Sequence, residues 1–219
     1  MGTKDSHGAS GIAAEARGLP VIVLGAGRGT RFGGPKLFAE HKGRGFLERI
    51  LTRCHAAGAR VTLVTDPRDK APLERLLTSL PPVLTAPFPR MVKADGEEDM
   101  MASVRAALAQ GPYEPGFWLW PVDAPFISAG GWRLAVETAA RDANVVWKLR
   151  VRGSTGHPIW FPFHTAAAIL AGSWPDGLRG FLKTQATQAT VRIQALALED
   201  EFLGDVNTQE QLAALGWLE

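Results

Sequence analysis

A glycine-rich segment with three cationic side chains is the part of this sequence best suited to binding an anion. Residues 24–36 read LGAGRGTRFGGPK and contain five glycines together with Arg28, Arg31 and Lys36. The segment directly follows a β-branched run, residues 20–24, which predicts a buried strand. Glycines after such a strand let backbone N–H groups point at an anion, at the ligand-binding edge of an open α/β sheet. The segment therefore predicts a phosphate site; the alternative is a tight turn with solvated cations.

Two common phosphate-binding motifs do not fit this segment. The dinucleotide fingerprint G-x-G-x-x-G fails because Thr30 or Phe32 stands where its third glycine would be. The P-loop fails because Pro35 precedes the lysine and Leu37 replaces the Ser or Thr that binds magnesium. The sequence therefore predicts a phosphate cradle of another kind.

Two aspartates fall at positions from which they could bind a metal ion beside this segment. Asp123, in PVDAP, follows the apolar run 117–122, and Asp205 lies in GDVNT. The alternative for Asp123 is an ordinary turn, because Asp before Ala-Pro commonly forms one. Asn207 or Thr208 can cap the helix that follows, so Asp205 is not needed as a cap and is available to bind a metal ion. Carboxylates hold Mg²⁺ while Lys and Arg neutralise the remaining phosphate charge. The combination predicts a site for a magnesium-bound nucleoside triphosphate.

These residues need a sheet to bring them together, and the rest of the chain has the pattern of one. Apolar strand-like runs alternate with helical patterns, which predicts one α/β domain over residues 19–219 with a mostly parallel sheet. Residues 1–18 are expected to form a flexible leader, and Ser128 is placed to cap a helix. Strands are predicted over residues 20–24, 59–65, 83–86, 117–122, 144–151, 158–161 and 190–196.

Composition and charge exclude several classes of protein. The 219 residues are 46% hydrophobic and 21% charged, as in folded globular chains, and the apolar runs are too short to cross a bilayer. The net charge of +2 provides no overall field for nucleic acid or an anionic membrane, so neither is an expected partner. Cys54 is the only cysteine, and no zinc-binding spacing occurs. A reducing, cytoplasmic location is therefore expected.

The glycine-rich segment resembles the L-A-A-G-x-G-x-R-x-G-x-x-K signature of the MobA-like nucleotidyltransferases, which include molybdenum cofactor cytidylyltransferase and guanylyltransferase. Other segments resemble that family's motifs in the same order along the chain. They are EEDMMASVRAAL with Ser103, PVDAP with Asp123, GHPIWF from residue 156, PDGLRGFL from residue 175 and DVNTQEQL from residue 205. The resemblance implies the nucleotide-diphospho-sugar transferase fold, a single-domain Rossmann-like three-layer α/β/α sandwich.

The resemblance also implies roles for individual residues. Lys36, Arg31 and Asp123 would act in catalysis, and Asp123 and Asp205 would share a Mg²⁺ ion. The residues implied in nucleotide binding are Leu24, Gly25, Ala26, Gly27, Arg28, Gly29, Lys36 and Ser103. Those implied in a pocket for the second substrate are Gly156, His157 and Arg179.

The implied reaction transfers a nucleoside monophosphate from a triphosphate to a phosphorylated acceptor such as molybdopterin or molybdenum cofactor, and pyrophosphate leaves. Two residues depart from the family pattern: Gly25 replaces an alanine and Val122 replaces a glycine. The resemblance implies that the first change lies near the base and the second near the metal. The pair Ala26-Gly27 is closer to the cytidylyltransferase pattern, which favours CTP over GTP. A partner in molybdoenzyme maturation is a further implication. The alternatives are a sugar-phosphate or other small-phosphate nucleotidyltransferase, and a non-catalytic protein that binds a nucleotide or cofactor.

Overall fold

The computed structural model describes residues 18–85, 89–94, 99–198 and 204–215. The strands in these ranges are β1 (Pro20–Leu24), β2 (Glu40–His41), β3 (Arg44–Gly45), β4 (Arg60–Thr65), β5 (Arg90–Lys93), β6 (Gly116–Pro121), β7 (Val145–Val151), β8 (Ser154–Pro162) and β9 (Arg192–Ala197). The helices are α1 (Phe46–Ala56), α2 (Lys70–Ser79), α3 (Pro82–Thr85), α4 (Met100–Leu108), α5 (Ala129–Arg141), α6 (His164–Ala171), α7 (Gly177–Thr187) and α8 (Gln209–Ala214). None of the helices in these ranges is long and apolar enough to cross a membrane. The predicted leader lies outside the described residues, apart from Gly18.

Seven of the described strands form one sheet in the order β5-β4-β1-β6-β8-β7-β9. Strand β1 pairs in parallel with β4 and β6, β4 with β5, and β7 with β9, whereas β8 is antiparallel to β6 and β7. The parallel pairing places the turns that follow β1, β4 and β6 at the same edge of the sheet. The predicted α/β fold with a mostly parallel sheet is confirmed.

Strand β1 shows why the chain forms three layers. Val21 and Val23 belong to the hydrophobic core on one face of the sheet, and Ile22 and Leu24 belong to the core on the other. Side chains alternate across a strand, so an entirely apolar strand requires cover on both faces. Helices α1, α2, α5 and α8 contribute to the first core, and α4, α6 and α7 to the second.

The strand predicted over residues 83–86 is wrong. The structure has helix α3 over residues 83–85, residue 86 lies outside the described residues, and the edge strand next to β4 is β5. Pro82 begins the helix, since the φ angle of proline suits the first helical position. Val83 is 54% exposed and so does not contribute a buried strand residue. Only Val92 is buried among the four residues of β5, which leaves that strand without an apolar pattern.

Two predicted helix starts are confirmed. The Ser128 hydroxyl accepts a hydrogen bond from the Gly131 N–H at the start of α5. At the start of α8, Thr208 and Gln211 form a capping box, in which each side chain accepts from the backbone N–H of the other residue. Because Thr208 caps α8, Asn207 is not required for that task.

Buried tryptophans hold the turn that follows β6. The tryptophans of this group are Trp118, Trp120, Trp132 and Trp160, which are all fully buried in one core. The Nε1–H of Trp120 donates to the carbonyl oxygen of Ala124 at 2.8 Å, and its ring packs 4.7 Å from that of Trp132. The turn that carries Asp123 is therefore anchored to the core.

Candidate active site

A cavity of about 300 Å³ lies where β1 and β6 end. It is lined by Leu24, Ala26, Gly27, Gly29, Thr30, Arg31, Phe32, Lys36, Met100, Ser103, Pro121, Val122, Asp123 and Asn207. Most residues predicted for nucleotide binding and catalysis therefore surround one space. A larger cavity of about 640 Å³ lies at the opposite edge of the sheet, where β1, β4 and β5 begin, and none of the predicted site residues lines it.

Helix α4 contributes one wall of the smaller cavity. Its first turn is capped by Asp99, whose side chain accepts a hydrogen bond from the Ala102 N–H. Ser103 follows on this helix and is buried at the cavity wall, whereas Met100 lines the same wall and is partly exposed. The cap thus positions the helix that presents Ser103.

Gly29 closes the glycine loop on itself. Its φ is +59°, and its carbonyl oxygen accepts hydrogen bonds from the N–H groups of Phe32, Gly33 and Gly34 at 2.8, 3.0 and 3.1 Å. A Cβ at residue 29 would lie 2.0 Å from the carbonyl oxygen of Gly34. The backbone itself therefore requires glycine at this position.

Gly27 and Gly25 differ in what a side chain would meet. At Gly27 no atom of the described residues, apart from its neighbours in the chain, lies within 4 Å of the Cβ position. Because Gly27 lines the cavity, a side chain there would extend into the ligand space. Gly25 does not line the cavity, and its Cβ position lies 2.8 Å from Cδ1 of the buried Leu37. Glycine at position 25, where the family pattern has alanine, therefore leaves room for the Leu37 side chain.

The two arginines of the loop lie in different environments. Arg31 is exposed and lines the cavity. Arg28 lies against two aspartates that follow β4, with its Nη1 3.9 Å from Asp66 Oδ2 and 3.8 Å from Asp69 Oδ1. The charge of Arg28 is therefore directed to this acidic pair, outside the lining of the cavity.

Lys36 joins the glycine loop to two other parts of the chain. Its Nζ donates hydrogen bonds to Asp123 Oδ2 at 2.9 Å and to Asn207 Oδ1 at 2.8 Å. The Lys36 side chain is 12% exposed and that of Asp123 is 25% exposed. The contact is therefore a partly buried, hydrogen-bonded ion pair at the end of β6.

Val206 holds the segment before α8 against the turn after β6. Its N–H donates to the carbonyl oxygen of Asp123 at 2.9 Å, and its side chain is buried in the core. Asp205 and Asn207 flank this anchor. Asn207 contacts Lys36, and the Asp205 carboxyl is influenced by the charges of Asp123 and Lys36. One buried valine thus positions both polar neighbours.

The pKa of Asp205 is raised to about 6. Although the residue as a whole is exposed, partial burial of its carboxyl group makes the largest contribution, and the negative charge of Asp123 raises the pKa further. Lys36 acts in the opposite direction. A cation bound beside the two aspartates would offset the effect of the Asp123 charge on the Asp205 carboxyl.

Asn207 is a site residue that the sequence indicates only as one of two candidate helix caps. It lines the cavity and accepts the hydrogen bond from Lys36. The signal that could have identified it is its spacing of two residues from Asp205, with the apolar Val206 between them. That spacing places two polar side chains beside one buried anchor.

The oxygen donors at this site fit a hard divalent cation such as Mg²⁺. Asp123 and Asp205 offer carboxylate oxygens and Asn207 an amide oxygen, which are ligand types that Mg²⁺ prefers. Within the described ranges, no group of three or more His, Cys, Asp or Glu residues is arranged for a metal ion. One or two carboxylates completed by phosphate oxygens and water is the usual arrangement for Mg²⁺ bound with a nucleotide.

None of the three residues predicted for the second-substrate pocket lines the cavity. Arg179 is exposed on α7. Gly156 and His157 lie on β8, opposite an irregularity in the register of β7 between Lys148 and Leu149. Such irregularities often redirect a side chain near a functional site.

The fold brings His157 into electrostatic contact with Asp123, which the sequence alone does not indicate. Burial lowers the pKa of His157 to about 4; the charge of Asp123 opposes this change and that of Lys148 adds to it. The buried Nε2 atom has no hydrogen-bond partner among the described residues. His157 is therefore neutral at pH 7 and presents an unsatisfied polar atom.

Comparison with known proteins identifies the family. Residues 21–190 match the family model of the MobA-like NTP transferase domain. A search of curated proteins found no match. The fold is similar to that of Rv0371c from Mycobacterium tuberculosis H37Rv, with a TM-score of 0.72, 22% identity and coverage of 90% of this chain and 97% of that chain. A manganese complex of the same mycobacterial protein gives a TM-score of 0.69 at 21% identity, covering 91% and 97%.

A third similar structure is 4-diphosphocytidyl-2C-methyl-D-erythritol synthase from Anaerococcus prevotii DSM 20548. It has a TM-score of 0.69 and 13% identity, and the match covers 92% of this chain and 96% of that chain. These similarities confirm the nucleotide-diphospho-sugar transferase fold, and the family match confirms the resemblance found in the sequence motifs. The chain contains a nucleotidyltransferase domain and belongs to the MobA-like NTP transferase family.

Proposed function

We propose that this protein is a Mg²⁺-dependent enzyme that transfers a nucleoside monophosphate from CTP, in preference to GTP, to a phosphorylated small-molecule acceptor. Molybdopterin or molybdenum cofactor is the proposed acceptor, and pyrophosphate is the second product. The observation that carries the proposal is the contact of Lys36 with Asp123 and Asn207 at the end of the glycine loop. A cation, a carboxylate and an amide oxygen at one sheet edge are what a metal-bound triphosphate requires.

The nucleotide half of the site is supported by the lining of the cavity. Its volume of about 300 Å³ is at the lower end of the range for ligand pockets. The triphosphate is assigned to Gly27, Gly29, Arg31 and Lys36, and the base to Leu24, Ala26 and Ser103. Backbone N–H groups and two cations would neutralise the phosphates, while the apolar wall would contact the base.

The reaction requires no general base. An acceptor phosphate oxygen, already an anion, attacks the α-phosphorus, and the bond from that phosphorus to the bridging oxygen of pyrophosphate breaks. Lys36 and Arg31 orient the triphosphate and neutralise the charge that develops on the leaving pyrophosphate. When bound by Asp123 and Asp205, with Asn207 as a further oxygen donor, Mg²⁺ supplies Lewis-acid polarisation of the α-phosphate.

The preference for CTP rests on two observations. The residues Ala26-Gly27 follow the cytidylyltransferase form of the loop motif. One structural relative is named for a diphosphocytidyl product. If the loop selects the base, CTP should therefore raise the melting temperature more than the other triphosphates do.

The acceptor half is the less constrained part of the proposal. The half-buried imidazole of His157, with its buried Nε2 atom, lies within electrostatic range of Asp123, so we assign it to the acceptor with Gly156 and Arg179. A sugar phosphate or another small phosphate is the alternative acceptor, because no contact of these residues selects a pterin. Retention of both Asp123 and Asp205 argues against a purely non-catalytic binding protein. A molybdenum cofactor product would imply a cytoplasmic molybdoenzyme-maturation partner.

The nucleotide assignment can be tested by thermal shift with CTP, GTP, ATP and UTP, each with and without Mg²⁺. Ligand binding to the native state raises its melting temperature by mass action. We expect a Mg²⁺-dependent rise that is largest with CTP and is lost in Asp123→Asn. The control is Glu74→Gln on the outer surface of α2, where the acid pairs with the exposed Lys70 at 3.8 Å. No shift with any triphosphate at millimolar concentration would refute the proposal.

The acceptor assignment requires a separate measurement. Pyrophosphate release with the preferred triphosphate would be followed in the presence of molybdopterin, molybdenum cofactor or a panel of sugar phosphates. Release that depends on the pterin supports the proposed function. Release that depends on a sugar phosphate would support the alternative acceptor and leave the nucleotide assignment intact.

A further inference from the structure

Two oxygen atoms suited to a bound cation are the same two that Lys36 contacts. Asp123 Oδ2 and Asn207 Oδ1 lie 2.9 and 2.8 Å from the Lys36 Nζ. We propose that the Lys36 ammonium competes with the divalent cation for these oxygens, so that metal binding releases Lys36 toward the triphosphate. This inference rests on the proposed function, because it assumes the metal site of Asp123 and Asp205.

The two cations exclude each other for reasons of space and charge. A metal ion that used both oxygens would lie where the ammonium now lies, and two positive charges so close repel strongly in a partly buried site. The Asn207 amide is also oriented for the role, since its Nδ2 lies 3.5 Å from the carbonyl oxygen of Asp205 and its backbone N–H donates to Gln211 Oε1. Its Oδ1 therefore faces the position that Lys36 occupies.

The Lys36 side chain can leave this position without movement of the backbone. Leu37 is buried in the core against Gly25, and the backbone N–H of Ala39 donates to the carbonyl oxygen of Lys36 at 3.0 Å. The main chain on both sides of the turn is thereby anchored, whereas the four-carbon lysine side chain can reorient about its single bonds once its two hydrogen bonds are broken. Gly27 and Gly29 line the same cavity, so a released ammonium faces the proposed phosphate cradle.

The competition predicts opposite effects of Lys36 on the two ligands. Lys36 weakens binding of the metal alone, and it strengthens binding of the triphosphate once the metal has displaced it. By linkage, metal and triphosphate must then increase each other's affinity by the same factor. A lysine that served only to bind phosphate would not affect the metal in this way.

The test is titration of the full-length protein with Mn²⁺ in the absence of nucleotide, with free Mn²⁺ measured by electron paramagnetic resonance. We expect Lys36→Met to bind Mn²⁺ about tenfold more tightly than the wild type, because a charged hydrogen bond to Asp123 no longer has to be broken. Lys36→Arg keeps a competing cation and should remain within about threefold of the wild type. Circular dichroism and urea unfolding verify that each variant is folded.

The matched control is Arg31→Met. It removes one positive charge from the same cavity, but Arg31 has no ion pair within the described part of the chain. Its Mn²⁺ affinity should change by less than about twofold. An equal gain in both methionine variants would overturn the competition, because net charge would then explain the affinity.

Two further outcomes separate this inference from the proposed function. If the wild type binds Mn²⁺ and Lys36→Met binds it equally or more weakly, the competition is overturned while the metal site remains. If neither the wild type nor any variant binds Mn²⁺ at millimolar concentration, the competition is overturned, because the two oxygens then hold no metal in the absence of nucleotide. The Mg²⁺-dependent thermal shift with the triphosphates tests the proposed function separately, since phosphate oxygens then complete the metal's ligands.

Discussion

The two halves of the proposed site differ in how firmly their polar atoms are held. On the nucleotide side, the Gly29 carbonyl oxygen and the Lys36 ammonium have partners within 3.1 Å. On the acceptor side, the buried Nε2 of His157 has no partner among the described residues, and Arg179 is exposed. A buried polar atom without a partner costs free energy unless a ligand supplies one. The glycine loop is therefore held in place before the nucleotide binds, Lys36 is held until the metal displaces it, and the acceptor half is completed by its substrate.

We expect the largest effect on turnover from a substitution of Asp123, which contacts Lys36 in the nucleotide half of the site. Asp123→Asn keeps the size of the side chain but removes the charge that holds Lys36 and the proposed cation. We expect turnover to fall about 10³-fold, since such charge stabilisation contributes about 4 kcal/mol to catalysis. Pyrophosphate release at saturating substrate measures this effect, with Glu74→Gln as the control. Turnover within tenfold of the wild type would contradict the metal assignment.

A second prediction tests whether the loop requires glycine because a side chain would collide with the backbone or only because the φ angle is positive. Gly29 and Gly33 both have positive φ, +59° and +95°, but a Cβ would collide with Gly34 only at position 29. We expect Gly29→Ala to weaken triphosphate binding about 30-fold or more, and Gly33→Ala about threefold. Isothermal titration calorimetry with Mg²⁺ and CTP measures both. Equal losses would mean that positive φ alone accounts for the requirement.

The sequence predicts those parts of the fold whose signals are local. Strand β1 is predictable because every residue in it is apolar and a glycine loop follows directly. Strand β5 is not, because it is an edge strand in which only Val92 is buried. The Pro81-Pro82 pair likewise outweighs the two apolar residues that follow it and starts a helix.

The same distinction applies to the candidate site. Asp123 is predictable since it follows an apolar strand within a recognisable motif. The role of Asn207 depends on Lys36, which lies 171 positions earlier, so no local pattern contains the contact. The environment of Arg28 depends on two aspartates after β4, and that of His157 on the pairing of β8 with its neighbours. These relationships exist only after the sheet has formed.

The acceptor half should be detectable through the pH dependence of stability. The pKa of His157 is about 4 in the fold against an ordinary value of 6.5, so the folded state binds fewer protons and loses stability as the pH falls from 6.5 to 4. Asp205, with a pKa raised to about 6 from 3.8, changes stability in the opposite sense over that range. The two effects partly cancel in the wild type.

Replacement of the histidine separates the two groups. Between pH 7 and pH 4, the free energy of unfolding should fall by about 3 kcal/mol more in the wild type than in His157→Gln. Urea unfolding at both pH values measures this difference. Parallel pH profiles would show that burial does not disfavour the charged His157 imidazole, and that the two halves of the site do not differ in this respect.

The smallest expected effect concerns Arg28, for which the family resemblance and the structure lead to different expectations. The resemblance implies that Arg28 binds the nucleotide, but the structure directs its charge to Asp66 and Asp69, whereas Arg31 lines the cavity. We expect Arg31→Met to weaken CTP binding about tenfold and Arg28→Met by less than about threefold, as measured by calorimetry with Mg²⁺. Each variant removes one positive charge from the same loop, so the difference between them reports position and not net charge. An equal loss in both would place Arg28 on the nucleotide, and its contact with the two aspartates would then be one that nucleotide binding has to break.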